Sequence, residues 1–257
     1  MAWGVSNTMS IGINANDALL RVIAPTGSSV TIAKGQVSNT LTAGHTYSSD
    51  ETIEVFYFAI RASQFDSVNA WNVTATRYGE SKTKTVTINA ANIYELSIYP
   101  KFYLVKNGVT QVGNLTAVGM KTTSSASLAA VAPEITYESS YIEIGSSTQA
   151  NGAGIAYFGA RDVTPYGTAH FDGTVWLTVS NTINTRFDAW YSIGTYQSDN
   201  SAFLEPLITT TASSYVSASK DVDISTISGT VYIGFNIGKT SGSQRGSIHV
   251  ENVYLEE

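Results

Sequence analysis

Apolar side chains recur at every second position along nearly the whole chain, and turn-forming residues separate the runs. Leu20, Val22 and Ala24 alternate up to Pro25-Thr26-Gly27, and Val30 and Ile32 alternate up to Lys34-Gly35. Thr52–Ile60 is dense in β-branched and aromatic residues. Trp71, Val73 and Ala75 alternate with Asn72, Thr74 and Thr76 before a tight turn at Tyr78-Gly79-Glu80. Val86 and Ile88 follow, then Ile93, Leu96 and Ile98. In the second half the pattern predicts strands at Tyr141–Gly145, Ile155–Gly159, Thr174–Ser180, Ala189–Tyr196, Asp221–Ile224, Val231–Ile237 and Ser247–Leu255. The best helical stretch, Ser125–Ala132, is short and stopped by Pro133. The pattern predicts an all-β chain.

Two sandwiches fit the length of 257 residues better than one. Pro100 interrupts the strand pattern and Lys106-Asn107-Gly108 is a turn signal, so the junction is expected within Tyr99–Gly108. The expected order is an N-terminal arm (1–14), an Ig-like β-sandwich (15–105) and a jelly-roll β-sandwich (106–257). Leu115–Ser127, rich in Thr, Ser, Ala and Gly, reads as an extended connection.

Composition narrows the partners. The chain is 43% hydrophobic and only 13% charged, against roughly 25% charged in an ordinary domain. Its polar surface must therefore come from Ser, Thr, Asn and Gly. The net charge is −6, and all of the acidic excess falls after Val105. No basic stripe exists to neutralise phosphates, which argues against nucleic acid. No apolar stretch is long enough to span a membrane as a helix, and Met1–Asp17 lacks the pattern of a signal peptide. The expectation is synthesis in a host cytoplasm without a signal peptide, and no membrane insertion. Cysteine is absent, which removes disulfides and thiolate chemistry.

Val22–Gly35, Ala70–Glu80 and Lys82–Ala90 together resemble a small Ig-like or PEGA-like β-module. Modules of this kind are similar to those in structural proteins of phages and prophages of Gram-positive gut bacteria. The resemblance covers about residues 19–100 and departs from the commonest pattern between Gln36 and Asn69. Phe171–Ser180, Val222–Phe235 and Ile248–Leu255 are similar, more loosely, to jelly-roll domains that accompany such modules and to carbohydrate-binding modules. The resemblance implies a non-enzymatic virion protein on the particle surface, attached to tail or capsid. Its implied partners are other virion proteins, further copies of itself in a trimer, and a host-surface polysaccharide.

Strand parity selects candidate binding residues. If Val175, Leu177 and Val179 face a core, Trp176, Thr178 and Ser180 face away. By the same rule Val231, Ile233, Phe235 and Ile237 point inward while Tyr232, Gly234 and Asn236 point outward. Asp188, Trp190 and Ser192 share one face of another strand. A face carrying Trp176, Trp190, Tyr232 and Asn236 suits sugar, because aromatic planes match the apolar faces of pyranose rings. The alternative for each aromatic is packing under a loop or at a subunit interface.

Catalytic signatures are missing. His45, His170 and His249 have no metal-ligand spacing, and neither a nucleophile elbow nor a phosphate loop occurs. Acids such as Asp162, Asp172, Asp221, Asp223 and Glu251 read first as solvated surface carboxylates, so no cofactor is expected; as a functional use, a structural calcium ion held by loop oxygens suits them better than a glycosidase pair, with no ligand set singled out. The leading expectation is an accessory or adhesion protein contacting glycan through its jelly roll. The alternatives are a purely architectural decoration protein without a ligand and the carbohydrate-binding module of a secreted polysaccharide-degrading enzyme.

Overall fold

A computed structural model describes residues 13–46, 53–68, 70–122, 127–146, 151–177, 182–194, 196–197, 201–208, 214–239 and 246–257. Most of the N-terminal arm, Thr178–Ser180 and the start of the Ser125–Ala132 stretch lie outside these residues. Among them the only helical turn is a 3-10 turn at Ala62–Gln64. The chain is all-β and divides into two compact units, Met1–Pro100 and Lys101–Glu257.

Among the described residues the first unit has eight strands: β1 (Ala18–Pro25), β2 (Ser29–Lys34), β3 (Val37–Leu41), β4 (His45–Thr46), β5 (Ile53–Ile60), β6 (Trp71–Arg77), β7 (Glu80–Val86) and β8 (Ile93–Ser97). They form two four-stranded sheets, ordered β4-β5-β1-β8 and β3-β2-β6-β7. Leu20 and Val22 from one sheet meet Val30, Ile32, Trp71 and Val73 from the other, joined by Phe56 and Phe58, in one buried core. Each such side chain contributes roughly 1.5–3 kcal/mol by leaving water. The β6–β7 hairpin turns on Tyr78 and Gly79, both at positive φ (50° and 80°), as a type I′ turn demands. The outward positions carry no charge in their central rank. Thr40, Thr31, Thr74 and Thr83 align across all four strands, with Oγ–Oγ hydrogen bonds of 2.8 Å at each outer pair.

The division between Pro100 and Lys101 lies inside the expected Tyr99–Gly108 window, five residues before the 105/106 bound. Phe102–Lys106 is a strand of the second unit, and Asn107 and Gly108, at φ 50° and 76°, turn a hairpin inside that unit instead of linking two domains. The turn signal was sound, but a I′ turn and a linker look alike in sequence.

The second unit contains β9 (Phe102–Lys106), β10 (Val109–Thr110), β11 (Thr116–Gly119), β12 (Lys121–Thr122), β13 (Glu134–Tyr137), β14 (Ile142–Gly145), β15 (Gly152–Tyr157), β16 (Arg161–Asp162), β17 (Thr168–Trp176), β18 (Thr182–Trp190), β19 (Tyr196–Gln197), β20 (Ser201–Pro206), β21 (Val216–Asp223), β22 (Thr230–Lys239) and β23 (Ser247–Glu256). Its front sheet centres on β14-β23-β17-β21, extended by β13, β9 and β10. Its back sheet centres on β15-β22-β18-β20, extended by β11 and β16. In chain order these eight central strands cross from sheet to sheet at every step except from β18 to β20, which are back-sheet neighbours, and this is the connectivity of a jelly roll. Phe171 of the front sheet meets Phe187 and Phe235 of the back sheet at 6.1 and 5.3 Å between ring centres, which seals the interior.

Candidate functional site

β17 alternates without a fault. Ala169, Phe171, Gly173 and Val175 are buried, and Thr168, His170, Asp172, Thr174 and Trp176 reach the opposite face. Antiparallel pairing lines these residues up with outward residues of neighbouring strands. Trp176 lies opposite Ser247, which pairs in turn with Gly145; Thr174 lies opposite His249 and Ser217, and His249 lies opposite Glu143. Asp172 lies between Ser219 and Asn252, and His170 between Asp221 and Tyr254, beyond which stands Tyr103. A bulge between Asp172 and Gly173 keeps both halves of β17 in step with β23. Gly173 is required there, because a Cβ would run into the His249 carbonyl oxygen.

Two aromatic–imidazole groups stand on this face. At one end His249 is stacked 3.9 Å from both Tyr141 and Tyr215, so the two tyrosines take opposite faces of the imidazole. Tyr215 continues to Trp176, 5.8 Å away and tilted by 48°. At the other end His170 stacks on Tyr254 at 4.4 Å, and Tyr254 meets Tyr103 at 5.2 Å. The Lys101 ammonium lies 4.3 Å from the Tyr254 ring centre and 3.3 Å from the Glu256 carboxylate.

Polar groups fill the intervals. His170 Nδ1 and Asp221 Oδ1 are 2.6 Å apart. Ser247 donates to Glu143 Oε1 at 2.9 Å. Asn252 Nδ2 donates to Asp172 Oδ2 at a long 3.4 Å, while Asn252 Oδ1 accepts from the Asn107 backbone N–H at 3.0 Å. Burial pushes the His249 imidazole below its usual range, and the nearby Glu143 and Glu138 charges oppose that shift.

Of the four residues that parity selects, only Trp176 stands on this face. Trp190, Tyr232 and Asn236 belong to the back sheet, because consecutive jelly-roll strands cross from one layer to the other. They do share one face there: Trp190 pairs with Tyr232, and Asn236 lies four residues further along β22. That face is not open. Trp190 and Asn236 are fully buried and Tyr232 is half-buried. Met120, Ile155 and Trp190 form a second small core, with Val118, Tyr157, Ile193 and Tyr232 packed against it. The two strands of the parallel pair β12 and β19 begin one residue after Met120 and three residues after Ile193. Asn236 Nδ2 spends one hydrogen on the Gly154 carbonyl at 3.1 Å. The expectation of one aromatic sheet face is therefore corrected: a second layer covers three of its four members.

His170, His249, Tyr141, Tyr215 and Tyr254 were the residues missed. The parity of Thr168–Trp176 places His170 beside Asp172 and Trp176, so half of the strip could have been read from β17 alone. Its other half depends on cross-strand register.

On the same covered face Asp188 is fully buried, and burial pushes its carboxyl up to about 8. It accepts hydrogen bonds from the Ala189 backbone N–H at 2.7 Å and from Ser201 Oγ at 3.3 Å. Among the described residues no group of three or more His, Asp or Glu side chains is placed to hold a metal ion.

No family model matches the chain, and no curated protein matches it. Among solved structures it is similar to a calcium-binding mutant of Bacteroides uniformis beta-glucuronidase 2, at 11% identity and TM-score 0.23, over 89% of this chain and 26% of that one. It is also similar to a structure of infectious bursal disease virus Gt strain, at 8% identity and TM-score 0.25, over 94% of this chain and 56% of that one. The chain is a β-sandwich protein. It spans about a quarter of the first structure's length and just over half of the second's.

Proposed function

We propose that this chain is a non-enzymatic binding protein whose second unit contacts a host-surface glycan through the front sheet. The carrying observation is the outward strip of Trp176, Tyr215, His249 and Tyr254, interleaved with Asp172, Asn252, Asp221 and Glu143. Aromatic surface supplies contact for the apolar faces of sugar rings, and carboxylate, amide and imidazole groups hydrogen-bond their hydroxyls. Stacking of the rings on one another holds the strip rigid before any ligand arrives, which lowers the ordering cost of binding.

The motifs of the first unit support display of this face on a virion, attached to tail or capsid. Repeated copies, as in a trimer or on a particle, would add avidity to individually weak contacts. A printed glycan array probed with the full chain tests the reading. Binding is expected, and Trp176→Ala with Tyr215→Ala is expected to abolish it while leaving the fold unchanged by circular dichroism. A blank array, or binding indifferent to both substitutions, overturns it. Retention on purified particles together with a blank array would favour the architectural alternative.

A further inference from the structure

The rings of the front strip are not equally available. His249 is closed on both sides, by Tyr141 and Tyr215 at 3.9 Å each. Tyr254 is stacked on His170 at 4.4 Å, and the Lys101 ammonium lies over the same ring, 4.3 Å from its centre. His170 keeps only 14% of its side chain exposed, and its Nδ1 is engaged by Asp221. Trp176 differs. It is half-buried, and among the described residues its ring partner is Tyr215, tilted by 48° at 5.8 Å, with no ring or cation stacked on the indole. Its Nε1 is buried, so the indole turns hydrocarbon outward. Such a surface stacks on the C–H face of a pyranose.

The surroundings fit a single ring. Trp176 and Tyr215 stand one residue beyond the Val175–Val216 pair, where β17 and β21 meet their ends. Tyr215 is 38% exposed, and its tilt makes it a wall beside the indole. The next outward rank sets Thr174 opposite Ser217, about 7 Å along the strands at their ordinary rise. Those two hydroxyls stand at the rim of a sugar lying on Trp176. None of the four side chains is charged.

The wall is held from behind. His249 lies directly opposite Thr174 on β23, and its imidazole is pressed between Tyr141 and Tyr215. Tyr215 thus ends a three-ring stack whose middle member sits inside the sheet. Without that member nothing in the stack fixes the angle between Tyr215 and Trp176.

Resting on the function proposed above, we infer that the front sheet takes one pyranose ring of its glycan, stacked on Trp176 and walled by Tyr215, and that His249 is the positioning residue that holds this corner in shape. One ring of about a dozen heavy atoms supports a Kd of about 1 mM. Repeated copies supply the remaining avidity.

NMR titration of the full chain tests this with methyl glycosides of glucose, galactose, mannose and N-acetylglucosamine, and with oligomers of each up to six residues. Binding is expected, with an affinity per sugar residue that changes by no more than about threefold from one residue to six. Trp176→Ala is expected to abolish it, and Tyr254→Leu to leave it within about twofold. His249→Ala is expected to weaken it by about tenfold with the circular dichroism unchanged, and His249→Phe, which keeps a ring in the stack, to restore it. His249→Leu replaces the alanine variant if that one does not fold. The indole resonance of Trp176, identified by its loss in Trp176→Phe, reports the corner without any ligand. It is expected to move in His249→Ala and in Tyr215→Ala, and to return towards its original position in His249→Phe.

An affinity per residue that rises more than about tenfold with chain length would overturn the single-ring subsite and leave the glycan-contact reading standing. So would a loss of binding in Tyr254→Leu as complete as in Trp176→Ala. An unmoved Trp176 resonance, or undiminished binding, in His249→Ala would remove His249 from its role. Failure of every glycan to bind overturns the subsite and the contact reading together, and the resonance alone then decides the role of His249.

Discussion

Trp176 and Trp190 carry almost the same local signal and meet opposite fates. Each ends a long alternating strand, each follows a small or β-branched apolar residue, and each points away from the jelly-roll interior. Trp176 remains half-buried on a face that carries His170, Asp172 and Thr174. Trp190 is fully buried against Met120 and Ile155. The difference lies outside both strands, in the segment that leaves β11 and the one that leaves β18, whose apolar residues pack on the back sheet. A sheet face is open or closed according to what the connections do. Parity along a strand says only which side a residue takes.

The comparison can be broken most directly by truncating each tryptophan. Trp190→Ala is expected to cost about 3–5 kcal/mol, since the small second core cannot close over the void. Trp176→Ala is expected to cost no more than about 1 kcal/mol and to act on binding instead. Urea unfolding of both variants measures this, and equal losses would mean that the two faces are not differently covered.

The buried face also predicts a pH signature. The Asp188 carboxyl is raised to about 8 in the folded chain, against an ordinary value of 3.8. The folded state therefore holds a proton that the unfolded state releases. The stabilising contribution is present in full below the ordinary carboxylate range and is lost as pH rises towards about 8. Asp188→Asn keeps an acceptor for the Ala189 N–H and removes the titration. It is expected to flatten the pH dependence and to stabilise the chain at about pH 9 by roughly 2–4 kcal/mol. A slope of unchanged size in the variant would show that another group causes it.

On the front sheet, Gly173→Ala sharpens the comparison by attacking register instead of burial. Its Cβ would meet the His249 carbonyl oxygen and force β17 and β23 apart, at about 1–3 kcal/mol. The expected companion effect is loss of glycan binding, because His249 and Trp176 would no longer align. The smallest effect belongs to the first unit. Thr74→Val on the open threonine rank replaces one exposed hydroxyl and is expected to shift stability by no more than about 0.5 kcal/mol. A large loss there would reveal that this face, too, is covered.

The inward sides of the strands were legible to the residue. Val175 and Leu177 are buried, as are Val231, Ile233, Phe235 and Ile237, and Trp71 is a core residue of the first unit. The closed outer face of β22 left a trace as well. Its outward positions Gly234 and Gly238 lack side chains, and a Cβ on Gly234 would strike the Ala156 carbonyl oxygen. A strand with glycine on its nominal solvent side and no charge before Lys239 fits burial on both faces. His249 left no such trace, since it lies far from β17 in the chain and joins the strip through cross-strand pairing alone.

The amino-acid order by itself determined the β class, the side each strand turns inward, and the I′ turns that need Gly79 and Gly108. These are local consequences of side-chain period and backbone sterics, which neighbouring residues settle among themselves. The tertiary structure decided which strands became partners, where the first unit ends, and which outward face stayed open. Those outcomes depend on register between distant segments and on the layer that covers the back sheet. Their free energy comes from contacts that exist only once the chain has folded.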